Sequence, residues 1–181
     1  YSYAPSGEVV AVTDARGVTR YTYDQRDRMV RVVHPDGTTI DYTYDAAGNR
    51  TAVSTITGIT TYAYDALNRL ASVTDPQGGI SRYTYDAAGN QIELSFPNGT
   101  SASYAYDLRD RLDAVEHTVT SGATVLSRYD YTTDAVGRHV RLVESTGRVV
   151  DYAYDAIGRL TAEVDNLTGS PITTTYSYDA V

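Results

Sequence analysis

Apolar residues recur two positions apart in short stretches along this chain, as at Val10 and Val12, Val30 and Val32, Ala71 and Val73, and Ile92 and Leu94. A period of two is that of a strand, whose successive side chains point to opposite faces. Thr, Val, Ile and Tyr dominate these stretches, which favours strands over helices. Each stretch is about six residues long, an ordinary strand length.

Turn signals bound the stretches on both sides. A slot three residues after a recurring Asp position holds Gly7, Asp27, Gly48, Asn68, Gly89, Asp110, Gly137 or Gly158. Gly, Asn and Asp are the residues that best tolerate a positive φ, so Asp-x-x-Gly predicts a tight turn with a left-handed fourth position. The Asp side chain can accept backbone N–H bonds at the start of such a turn. A second turn follows about ten residues on. It carries Gly17, Gly37, Gly58, Gly78 with Gly79, Gly99, Gly122, Gly147 and Gly169, so the two slots hold all 14 Gly. Each repeat is predicted to be a two-stranded hairpin.

The repeat is written most plainly in tyrosine. All 18 Tyr fall in nine Tyr-x-Tyr units, led by Tyr1, Tyr21, Tyr42, Tyr62, Tyr83, Tyr104, Tyr129, Tyr152 and Tyr176. A fixed period of this kind marks a repeat protein. Tyr-x-Tyr puts both rings on one strand face, within reach of Val and Leu on the neighbouring strand. Residues 1–181 therefore read as one array of about eight hairpin repeats, in one continuous antiparallel sheet. Roughly sixteen strands at ~4.8 Å would make a ribbon about 77 Å long, which twist should curl. Its open edges, at Tyr1 and near Val181, should meet further repeats or another chain. Both ends fall inside a motif, so the expectation is a segment of a longer protein.

Three units depart from the pattern. Extra residues lie around 116–127 and 165–172, both at the second turn. The seventh unit, aligned on Asp134 and Gly137, has Thr133 where the second Tyr belongs. A bulge or register slip is expected there.

Composition narrows the function classes. The net charge is −8 and every cation is Arg. That balance disfavours nucleic acid as a partner, because phosphate is held by Lys and Arg. There is no Cys, hence no disulfide or thiolate chemistry. No apolar run approaches the roughly 20 residues needed to span a bilayer.

The units YTYDAAGNR, YAYDALNRL, YTYDAAGNQ and YAYDAIGRL resemble the YD repeats of Rhs proteins, a family that includes Tc toxin C subunits, wall-associated bacterial proteins and the animal teneurins. The resemblance covers essentially the whole chain. It implies a β-sheet ribbon wound into a spiral shell or tube. In Rhs and Tc proteins it implies a shell around a cytotoxic domain, and in teneurins an extracellular adhesion scaffold. It also implies a secreted or cell-surface location. The family's self-cleaving element carries paired Asp-Pro-x-Gly motifs; here only Asp75-Pro76-Gln77-Gly78 matches, in an ordinary second-turn slot.

Candidate chemistry is sparse. His34, His117 and His139 stand apart, with no second ligand at metal spacing. The recurrent Asp reads as a turn cap, and no nucleophile elbow, P-loop or zinc helix motif occurs. No catalytic, cofactor-binding or metal residue is assigned, and the segment is expected not to be an enzyme. The Tyr rows read as a ladder holding the sheet together; if exposed they could stack on glycans. Asn98-Gly99-Thr100 and Asn166-Leu167-Thr168 fit the glycosylation pattern but read as turns. The function expected is a structural wall enclosing a toxin or other cargo; the alternative is an extracellular tube, filament or adhesin.

Overall fold

The computed structural model describes residues 1–121, 124–166 and 170–179. Gly122, Gly169 and the pair Leu167–Thr168 of the second glycosylation pattern lie outside them. The described residues form seventeen β-strands and no helix. The chain divides into two compact units, Tyr1–Arg82 and Tyr83–Val181.

In the first unit the strands are β1 (Ser2–Tyr3), β2 (Val9–Asp14), β3 (Gly17–Tyr23), β4 (Met29–Val33), β5 (Thr39–Tyr44), β6 (Arg50–Thr55), β7 (Gly58–Tyr64) and β8 (Leu70–Thr74). β9 (Ile80–Tyr85) runs through the division point. The second unit continues with β10 (Gln91–Ser95), β11 (Thr100–Tyr106), β12 (Leu112–Val119), β13 (Thr124–Thr133), β14 (His139–Glu144), β15 (Val149–Tyr154), β16 (Leu160–Asp165) and β17 (Ile172–Thr175). Within each unit every strand pairs antiparallel with its neighbours in sequence. This is the tandem-hairpin, all-β architecture that the two-residue periodicity predicts.

The register explains the tyrosine spacing. Tyr21 sits opposite Val32, Tyr42 opposite Val53, Tyr62 opposite Val73, Tyr104 opposite Val115 and Tyr131 opposite Leu142. Each of these five tyrosines thus meets an aliphatic side chain directly across the ladder, where cross-strand pairs contribute most, whereas Tyr152 faces Glu163. The other face is polar and carries cross-strand ion pairs, Arg31 with Asp41 and Arg141 with Asp151. Among the described residues only Val32, Ala102, Ala114 and Val150 are fully buried. Stability must therefore come mainly from ladder hydrogen bonds and pairwise contacts repeated along the array, as in other repeat proteins.

The Asp turns and four of the second turns take one main-chain form. At the Asp turns the N–H of residue i meets the carbonyl of i+4, while the N–H of i+3 meets the carbonyl of i, as at Asp65, Asn68 and Arg69. His34, Asp75, Phe96 and Glu144 open second turns with the same two bonds. The fourth residue of these turns is left-handed, with φ of 57° at Asp27, 60° at Asn68 and 58° at Asp110. This is a type I turn closed by a one-residue bulge. Asp75-Pro76-Gln77-Gly78 is one of these turns, with Asp75 accepting the N–H groups of Gln77 and Gly79. Two second turns are tighter: Asp14 pairs with Gly17, and Thr55 with Gly58, across two-residue loops.

The irregular seventh unit shows the expected slip, though not as its distinctive feature. A register shift does fall between Thr132 and Thr133, but the same shift precedes the Asp turn at Tyr23, Tyr44, Tyr64, Tyr106 and Tyr154. It belongs to the turn. The distinctive irregularity lies earlier: His117 pairs with Ser127 and Thr118 with Val125, leaving Leu126 as an extra residue. The enlarged hairpin absorbs its added length there, and Tyr131 takes the first-tyrosine position opposite Leu142.

Candidate functional site

The repeated side-chain machinery lies at the Asp turns. In Asp24, Asp65, Asp107, Asp134 and Asp155, Oδ1 accepts the N–H groups two and four residues on; for Asp107 these belong to Arg109 and Arg111, at 2.8 and 3.1 Å. Oδ2 accepts from the Arg four residues on, 2.7 Å from Arg111 Nε to Asp107. In Asp45 and Asp86 that fourth residue is Asn49 or Asn90, whose side-chain amide donates instead. The carboxylate therefore fixes the loop and then orients a long polar side chain toward the next repeat.

What that side chain does depends on the next turn. Arg28 Nη1 donates to the Asp45 carbonyl, and Arg111 Nη1 to that of Asp134. The left-handed slots beside these guanidinium groups are Gly48 and Gly137. A Cβ on Gly137 would lie 3.8 Å from Arg111 Nη1, and one on Gly158 3.7 Å from Arg138 Nη1. Asn49 is shorter and instead donates to Asn68 Oδ1 at 2.9 Å, as Asn90 does to Asp110 Oδ1. Consecutive repeats are thus matched: Arg is followed by a bare Gly slot, Asn by a slot bearing a side-chain acceptor.

In six pairs the second tyrosine completes the link. Its hydroxyl donates to a main-chain carbonyl of the preceding repeat, five residues after that repeat's turn start. The bonds run from Tyr23 to Val9, Tyr44 to Met29, Tyr64 to Arg50, Tyr106 to Gln91, Tyr154 to His139 and Tyr178 to Leu160, at 2.7–3.0 Å. Arg28, Arg138 and Arg159 place their guanidinium carbons 4.6–4.8 Å above the rings of Tyr44, Tyr154 and Tyr178. Such cation–π contacts reinforce the hydrogen bond beside them.

Electrostatics follow from this geometry. All seven turn carboxyls are held below the usual carboxylate range. The largest cause is the Arg or Asn side chain for Asp24, Asp45, Asp86, Asp107 and Asp155, and the backbone N–H of the same fourth residue for Asp65 and Asp134. Arg111 draws Asp107 down to about 2. A carboxyl that titrates lower when folded than its unfolded value near 3.9 contributes stability above that value and loses it as pH falls through the folded one. The urea midpoint is therefore expected to hold steady from pH 7 to about 4.5 and to drop between about 4 and 2. A midpoint insensitive to pH across that window would contradict the cap assignment.

Thr133 is the gap in this scheme. Its place calls for a tyrosine whose hydroxyl would reach Leu112 and whose ring would lie under Arg111. Thr133→Tyr should raise stability by about 1 kcal/mol, read as a melting temperature about 2–4 °C higher. An unchanged or lowered melting point would refute the positional rule.

The three histidines stay separate, in the turn after β4 (His34), in β12 (His117) and in β14 (His139). Among the described residues no group of three or more His, Asp or Glu side chains is placed to hold a metal ion. The seven turn-start Asp carboxylates are engaged with their own turns, which makes them structural groups. No helix among the described residues is long and apolar enough to cross a membrane.

Comparison with known proteins places this architecture. A crystal structure of TcdB2-TccC3-TEV superimposes with a TM-score of 0.72 at 20% identity, covering 87% of this chain and 10% of that one. A TcdB2-TccC3 crystal structure gives 0.64 at 20% identity over 90% of this chain and 9% of that one. One without its hypervariable C-terminal region gives 0.57 at 14% identity over 93% and 12%. The chain spans about a tenth of these relatives, and at such identities they show a shared fold. A search of curated proteins found no match. The RHS repeat profile, in contrast, matches six times in overlapping windows, over residues 3–39, 30–60, 44–80, 64–101, 85–124 and 134–170. With its Asp turns, paired tyrosines and tandem hairpins, this chain belongs to the RHS repeat family.

Proposed function

We propose that residues 1–181 form one continuous stretch of wall in a larger secreted RHS protein, a curled β-shell that encloses a toxin or other cargo. The observation that carries this reading is the turn-to-turn linkage. Arg or Asn, the left-handed slot and the second tyrosine are all used to fasten one hairpin to the next. Side chains committed to neighbouring repeats build a wall and leave few groups free for chemistry, so the role of this segment is structural rather than catalytic. The family and the shared fold with TcdB2-TccC3 support the shell form. Among the described residues β1 pairs only with β2, and β17 only with β16. Further repeats of the polypeptide, or identical chains, would pair along those open strands.

Limited proteolysis of the full-length protein tests the reading. A cargo domain inside the wall should resist protease until the shell is opened by acid, then be cut rapidly. A domain cleaved at the same rate before and after opening would overturn enclosure and favour a tube, filament or adhesin.

A further inference from the structure

We propose that the hollow between β13 and β16 binds a single uncharged sugar ring. This open hollow has a volume of about 250 Å3 and is lined by Tyr131, His139, Leu142, Tyr152, Tyr154 and Leu160, all in the second unit. Ordinary ligand pockets run from roughly 300 to 1,000 Å3, so this one suits one ring rather than an extended molecule.

One position of the repeat distinguishes the hollow. The residue five places after each turn start is Val9, Met29, Arg50, Leu70, Gln91, Leu112, His139 or Leu160. In the equivalent place Arg50 reaches forward and lays its guanidinium 4.8 Å above the ring of Tyr62. His139 instead turns back onto Tyr131, with ring centroids 4.9 Å apart at 52°. The face of Tyr152, which corresponds to Tyr62, is left lining the hollow.

The chemistry of the lining selects the ligand. Three phenol rings and two leucines offer apolar faces to the C–H face of a pyranose. The hydroxyls of Tyr131 and Tyr152 make no hydrogen bond among the described residues, whereas that of Tyr154 is held by the His139 carbonyl. Two free hydroxyls and an exposed imidazole are left to pair with ring hydroxyls. Glu163 stands directly opposite Tyr152, where five other repeats carry Val, and its charge disfavours an acidic sugar. Arg138 covers Tyr154 and disfavours a cation.

The test is an NMR titration of the 181-residue chain with methyl β-glucoside, methyl β-galactoside and N-acetylglucosamine, followed at the His139 ring and by saturation transfer. A ring of about a dozen heavy atoms in a shallow site should bind with Kd on the order of 1–10 mM. His139→Arg recreates the filling side chain that Arg50 supplies, so it should fold normally and weaken binding at least tenfold. Three results would overturn the proposal: no shift with any sugar, equal binding to the H139R variant, or perturbations confined to other residues. Binding of indole without binding of any sugar would also refute it, and would mark the hollow as a site for aromatic side chains.

Discussion

Gly58→Ala should lower the stability of the array by roughly 2–4 kcal/mol and its melting temperature by about 5–15 °C. Two independent costs meet at this residue. Gly58 closes a two-residue hairpin with φ of +128°, a conformation that an L side chain seldom adopts. A Cβ there would also stand 2.6 Å from Pro76 Cβ, in the next second turn of the same edge. Pro76 is rigid and cannot swing aside. Gly48→Ala separates the two costs, since Gly48 has φ of +100° but nothing within 4 Å of a Cβ. It should lose only the strain, about 1–2 kcal/mol. The double variant Gly58→Ala with Pro76→Gly should recover the clash component, which a double-mutant cycle reads directly. Equal losses for the two single variants would refute the contact. Gly17 meets Pro35 in the same way at 2.9 Å, so the result should repeat one hairpin pair earlier.

Tyr44→Ala is the second large effect, a loss of roughly 2–4 kcal/mol. The ring lies under Arg28, and the hydroxyl bonds the Met29 carbonyl at 2.8 Å. Both contacts join one repeat to the one before it, so the damage should extend across that boundary. Tyr44→Phe keeps the ring and removes the hydroxyl, leaving a carbonyl unmatched, and should lose about 1 kcal/mol. Tyr42→Phe is the control. The Tyr42 hydroxyl makes no hydrogen bond among the described residues, so its removal should stay within about 0.5 kcal/mol of neutral. Urea titration of the three variants gives all three values. If Tyr42→Phe cost as much as Tyr44→Phe, the division of labour within the pair would fail.

That division marks where the sequence stops being readable. Strands, turns and the left-handed slot could all be read from local rules, because a positive φ admits few residue types and a strand declares itself in a period of two. The tyrosine pair was legible as a ladder, but its two members look alike in sequence. Only the register separates Tyr42, packed against Val53, from Tyr44, reaching back to Met29. The linking role of the residue four places after the turn start was missed altogether. A signal for it exists: Arg28, Arg111 and Arg138 precede turns with Gly48, Gly137 and Gly158, while Asn49 and Asn90 precede Asn68 and Asp110. Reading one column at a time hides this, because the constraint joins columns of successive repeats. The expected slip in the seventh unit is present between Thr132 and Thr133, but it does not set that unit apart. A bulge is part of every Asp turn, and the extra residue sits in the longer hairpin at Leu126, where length alone gave no position.

The hollow beside His139 belongs to the same class of feature. One histidine in a column of otherwise aliphatic or extended side chains is visible in sequence, but its turn toward Tyr131 is not. The turns on either side keep their regular bonds at Asp134 and Asp155.

The wall reading stands or falls on shape, and single-particle imaging of the full-length protein tests it most directly. The account predicts a closed hollow shell, with residues 1–181 forming part of its wall and separate density inside. An open ribbon, a filament of stacked chains or a shell with no space for cargo would contradict it.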